Sequence, residues 1–76
     1  MKLRVSFFGP IRRPWPETSR ELETSSENLE ELLASFGYTP EDRRRVAAVI
    51  NGTRRPLSAV PAEGDDVRFV LLAGGG

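Results

Sequence analysis

The chain opens on a strict alternation. Leu3, Val5 and Phe7 share one side of an extended backbone, while Lys2, Arg4 and Ser6 take the other. Period two from Met1 to Phe8 predicts a half-buried strand. Gly9-Pro10 ends it, and Pro14-Trp15-Pro16 prolongs the break, so a connecting loop follows. A second strand is expected over Ser19 to Glu23. It rests mainly on its place between a turn and a helix, because Leu22 is its one clear core candidate.

The period then changes. Leu29, Leu32, Leu33 and Phe36 fall at i, i+3, i+4 and i+7, the apolar stripe of a helix packed on a core. Thr24, Ser25 and Ser26 are its N-cap candidates, and Thr24 with Glu27 has capping-box spacing. Glu27, Glu30 and Glu31 fall early in this helix, where the macrodipole favours negative charge. Gly37 stands where a left-handed C′ residue would end it. Thr39-Pro40-Glu41-Asp42 predicts a short helical turn, with Thr39 as N-cap and Pro40 at the first helical position.

Val46 to Ile50 is a continuous apolar run that meets Asn51-Gly52, the pair suited to a type I′ hairpin turn. Thr53 to Leu57 is the expected return strand, its arginines and Pro56 fitting an exposed edge. After a loop over Pro61 to Asp66, Val67 to Leu72 forms the last strand. Val67, Phe69 and Leu71 take one face; Arg68, Val70 and Leu72 take the other, which is unusually apolar for a surface. Ala73, Gly74, Gly75 and Gly76 follow. The order predicts an α+β fold of two layers, a mixed four- to five-stranded sheet with one main helix packed across it. The β-grasp is the arrangement that buries the helix stripe in this way. Patterning alone does not set the strand order. The expected division is a domain over 1–72 and a flexible tail over 73–76.

Composition removes several functions. The chain has no cysteine and no histidine, so the usual zinc constellations and the usual general bases and nucleophiles are absent. Eleven basic residues balance eleven acidic ones, which removes the simplest argument for nucleic-acid binding. No apolar run approaches a membrane span, and the N-terminus lacks a signal peptide's apolar core; the expectation is a soluble, cytoplasmic chain that is monomeric on its own. The charges are segregated, however: glutamates crowd residues 17–31, and Arg43, Arg44, Arg45, Arg54 and Arg55 crowd a later stretch. Such asymmetry either orients a partner or marks two solvated faces.

Five pieces of sequence, in order, resemble the ubiquitin-like sulfur carriers of the ThiS/MoaD type, which include the small subunit of molybdopterin synthase and the thiazole-pathway carrier. They are Lys2-Leu3-Arg4-Val5-Ser6-Phe7-Phe8 for the first strand, Asn28-Leu29-Glu30-Glu31-Leu32-Leu33 for the helix and Val49-Ile50-Asn51-Gly52 for the hairpin. Glu63-Gly64-Asp65-Asp66-Val67 matches the turn into the last strand, and Leu72-Ala73-Gly74-Gly75-Gly76 matches the tail. The chain departs from the family by a third glycine and by Val70-Leu71-Leu72 where the molybdopterin carrier often has Pro-Pro.

The resemblance implies a carrier that is a substrate or subunit of partner enzymes and not itself an enzyme. An E1-like enzyme, using ATP, would adenylate Gly76. A sulfur nucleophile would then convert it to a thiocarboxylate, which a sulfur-acceptor synthase would consume in molybdopterin, thiamine or related biosynthesis. No bound cofactor and no metal are implied for the carrier. Gly74 and Gly75 would enter the partner's narrow site, where a Cβ collides with the walls. Six extended residues from Leu71 reach at most roughly 20 Å. Ordering four of them takes roughly 4–8 kcal/mol. Val70 and Leu72 are the candidate partner contacts that offset this; the other reading packs them under a loop or the helix. A protein modifier joined through Gly76, and a plain interaction module with no chemistry at its tail, are the competing functions.

Overall fold

The computed structural model describes residues 1–10 and 12–71. The inner face of the opening strand β1 (Lys2–Phe8) forms as its alternation requires, with Leu3, Val5 and Phe7 wholly buried; on the other face Lys2 and Arg4 are exposed, but Ser6 is buried. The other elements are β2 (Ser19–Glu23), α1 (Leu29–Ser35), α2 (Pro40–Arg43), β3 (Val46–Ile50), β4 (Thr53–Arg55) and β5 (Asp66–Leu71). The sheet order is β2-β1-β5-β3-β4. First and last strands thus lie together at its centre, parallel, with Val5 opposite Val67 and Phe7 opposite Phe69. The remaining pairings are antiparallel. This is the β-grasp, with α1 across one face.

One apolar core lies between sheet and helix. Leu29, Leu32 and Leu33 of α1 meet Leu3, Val5, Phe7, Val46, Ala48, Ile50, Val67 and Phe69 of the sheet. Phe7 is the hub of an aromatic cluster. Its ring centroid stands 5.3 Å from Phe69, 5.6 Å from Trp15, 5.8 Å from Tyr38 and 6.0 Å from Phe36. Trp15, read from sequence only as part of a proline-rich break, is a core residue at 9% exposure. Its flanking prolines stiffen a loop that the indole pins to the core. Tyr38, just past the C′ glycine, is likewise buried.

The cap of α1 differs from expectation. Thr24, Ser25 and Ser26 do not cap it, and the Thr24–Glu27 box is not formed; Thr24 Oγ1 instead accepts from the Ser26 N–H and turns the chain out of β2. Asn28 is the N-cap, its side-chain oxygen accepting from the Glu31 N–H at 2.8 Å. The Leu29 and Glu30 N–H groups donate to the carbonyls of Ala59 and Leu57. A loop distant in sequence therefore satisfies part of the helix end, and this moves the start to Leu29 and leaves Glu27 outside. The Gly37 terminator, at φ 94°, and the Thr39–Asp42 capping box of α2 form as predicted. Return strand β4 stops at Arg55 and not at Leu57, because Leu57 leaves the ladder to pack against the core. Strand β5 begins one residue early, at Asp66.

Candidate functional site

The parallel pairing of β1 with β5 brings Phe8 and Leu71 to one end of the sheet, and antiparallel β3 begins there, with Val46 opposite Leu71. Residues 72–76 therefore start from this end. The loop after β1 supplies Arg12 and Arg13 to it, and the chain between α2 and β3 supplies Arg44 and Arg45. The opposite end carries Glu23, Glu63, Asp65 and Asp66.

Away from the helix, the outer sheet face has an apolar centre near the same end. Phe8 pairs with Val70 and Val70 with Ala47, so all three project to one side. Val49 lies opposite Arg68, whose guanidinium stands 6.0 Å from the Phe8 ring. Phe8 is 40% exposed, a large value for an aromatic side chain in a strand. Val70, Ala47 and Val49 are half-buried.

A cavity of about 190 Å³ opens on the rim between this end and α2, lined by Pro10, Arg12, Tyr38, Asp42, Arg45, Val46 and Leu71. The Arg12 guanidinium lies 5.1 Å from the Tyr38 ring centroid. Burial pushes the Tyr38 hydroxyl above its ordinary pKa, partly opposed by the Arg12 charge. Hydrogen bonds from the Thr39 backbone N–H and then its side chain hold the Asp42 carboxyl below the usual aspartate value, with smaller help from Arg12 and Arg45. The described residues hold no cluster of three or more potential metal ligands, and none of their helices is long and apolar enough to cross a membrane.

Val70 thus lies on the face opposite the helix, which rules out its packing under α1. Leu72, Gly74, Gly75 and Gly76 lie outside the described residues. The sequence reading overlooked Phe8, Ala47 and Val49 as neighbours of Val70. The continuous apolar run of β3 was the available signal, since a strand apolar on both sides has two faces to cover. Nothing in the sequence joined Arg12, Tyr38 and Arg45, which belong to three separate segments.

A mixed five-stranded sheet with its first and last strands central, crossed on one face by a helix, defines a ubiquitin-like β-grasp protein. Within that class the chain belongs to the ThiS family, the sulfur carriers of the ThiS/MoaD type, whose family model matches residues 5–76. It is 30% identical to the molybdopterin synthase sulfur carrier subunit of Mycobacterium tuberculosis (strain H37Rv), covering all of this chain and 99% of that one. Among solved structures it resembles a chain in the complex of subunits 1 and 2 of molybdopterin-converting factor from Helicobacter pylori 26695, with TM-score 0.64, 25% identity and full coverage of both chains. SAMP1 from Haloferax volcanii shares the fold, with TM-score 0.68 at 16% identity and full coverage of both chains.

Proposed function

We propose that this chain carries sulfur as a thiocarboxylate on Gly76. An E1-like partner transfers AMP from ATP to the Gly76 carboxylate and releases pyrophosphate. A partner's persulfide then attacks the activated carbonyl and displaces AMP; a second thiol releases the thiocarboxylate while a disulfide forms on the partner. A synthase subunit finally takes the sulfur. The observation that carries this reading is the family match, which runs through the glycine tail to residue 76 and does not end with the folded body. Lacking histidine and cysteine, the chain leaves base and nucleophile to its partners.

The body presents the tail. Phe8, Val70 and Ala47 form the docking surface beside it, and full burial of one aliphatic or aromatic side chain there contributes about 1.5–3 kcal/mol. Two such residues offset much of the entropy lost when the tail is ordered. The related carrier subunit of Mycobacterium tuberculosis and the two-subunit complex of Helicobacter pylori favour a synthase of the molybdopterin type as acceptor. Intact-mass analysis of the protein isolated with its native enzymes tests the reading. An oxygen-for-sulfur exchange is expected at the C-terminus and is lost on deletion of Gly76. An exchange that persists in the deletion variant sinks it.

A further inference from the structure

The rim cavity below the start of the tail has features that the fold does not use. Among the described residues, the side chains of Arg12 and Arg45 form no ion pair and donate no hydrogen bond, although Asp42 lines the same cavity. The Asp42 carboxylate uses one oxygen within its own turn: Oδ2 accepts from the Thr39 N–H at 3.0 Å to close the α2 capping box. Two guanidiniums thus share the lining with one carboxylate, which leaves it a net positive charge. The Tyr38 hydroxyl is buried without a hydrogen-bond partner, in a residue only 4% exposed that lines the same cavity. A buried unpaired hydroxyl costs about 1–3 kcal/mol. The other ring with an orphan donor, Trp15, lies in the aromatic core and does not line this cavity.

Place and charge together specify the occupant. Leu71 lines the cavity, and Gly76 is five residues further on. An extended chain of that length spans at most about 18 Å. Any enzyme that closes on Gly76 must bring the mouth of its active site within that distance of Arg12 and Arg45. The planar guanidinium fork matches a carboxylate with two parallel hydrogen bonds. We propose that the cavity lined by Arg12, Tyr38 and Arg45 receives an Asp or Glu side chain from the rim of the adenylating enzyme, fixing the carrier's orientation while the tail enters. This rests on the carrier reading above. It adds a second contact, on the α2 side of the tail, to the apolar sheet face.

ATP–pyrophosphate exchange by the adenylating enzyme from the same cells, with this full-length chain as substrate, tests the proposal. Arg12→Glu/Arg45→Glu should raise the KM for the carrier on the order of tenfold or more. Its kcat at saturation should stay within about twofold of the wild type. Added salt should raise the wild-type KM and lower that of the double variant, whose reversed charges repel the enzyme's carboxylate. Arg12→Lys/Arg45→Lys keeps the charge but not the planar fork and should recover only part of the loss. Arg55→Glu, on the far edge strand, should behave as wild type. Should the double glutamate variant melt early, Arg12→Gln/Arg45→Gln replaces it. An unchanged KM in a folded double variant overturns the proposal, as does an equal rise with Arg55→Glu. A wild-type chain that supports no exchange defeats the carrier reading itself, and the cavity assignment with it.

Discussion

The two ends of the sheet treat their polar groups in opposite ways. At the hairpin end, the Asn51 side chain donates to Asp65 Oδ1 and accepts from the Asp66 N–H, both at 2.9 Å. The Lys2 N–H donates to Glu63, the Ala62 N–H to Asp65, and the Gly64 N–H to the Lys2 carbonyl. Every one of these groups finds its partner within the chain. At the tail end, Arg12, Arg45 and Tyr38 line a cavity, and neither the two guanidiniums nor the buried Tyr38 hydroxyl has a hydrogen-bond partner among the described residues. Local satisfaction stabilises the fold, whereas the Tyr38 hydroxyl, buried and unpaired, is a standing cost; Arg12 and Arg45 are exposed and solvated, available to a partner without loss to the fold. The hairpin end is therefore expected to govern stability and the tail end to govern activity.

The largest test of this division lies in the tail. On the carrier reading proposed above, Gly75→Ala would place a Cβ in the partner's narrow site and should lower adenylation at least about a hundredfold. Thermal unfolding should not move, since β5 is given by Asp66–Leu71, which the substitution leaves unchanged. Matching losses of activity and stability would erase the contrast. At the other end, Asn51→Ala removes two hydrogen bonds and puts a Cβ without polar compensation at φ 50°. It should cost about 2 kcal/mol in denaturant unfolding and leave adenylation at saturation intact. Asn51→Gly should return the part due to the backbone.

A smaller effect is expected at α2, which stands beside the tail end but is closed by its own hydrogen bonds. Thr39→Ala should destabilise by about 1 kcal/mol. The Asp42 carboxyl is held below its ordinary value of 3.8 by the Thr39 hydrogen bonds, so the folded state binds its proton less readily than the unfolded state. That stabilisation is complete above 3.8 and is lost as pH falls through the lower folded value. Asp42→Asn should flatten this limb of the stability–pH curve; an unchanged acid limb would count against the capping assignment. The smallest effect sharpens the comparison most. Tyr38→Phe removes an orphan hydroxyl and should leave stability equal or raise it by up to about 1 kcal/mol, while the KM for the carrier rises. A clear loss of stability would mean that the hydroxyl has a partner inside the fold.

Local pattern and turn chemistry were legible residue by residue. The alternation of Leu3, Val5 and Phe7, the stripe of Leu29, Leu32, Leu33 and Phe36, the positive φ angles at Asn51 and Gly52, and the Thr39–Asp42 box all follow from interactions a few residues apart. The misplaced cap of α1 marks where such reasoning stops, because the carbonyls of Leu57 and Ala59 compete for the helix N–H groups from far along the chain. Trp15 shows the same limit: a ring between two prolines looks like loop until a core exists to take it.

By itself the sequence determined the elements, the facing of each strand, the family and the glycine tail, since each is written in neighbouring residues. Tertiary structure alone decided that the last strand would lie parallel to the first at the centre of the sheet. That pairing set Phe8 beside Val70 and Ala47, and gathered Arg12, Tyr38 and Arg45 around the residue from which the tail departs. The physical reason is that strand pairing and core packing act between segments tens of residues apart, and no local pattern encodes which of them will meet.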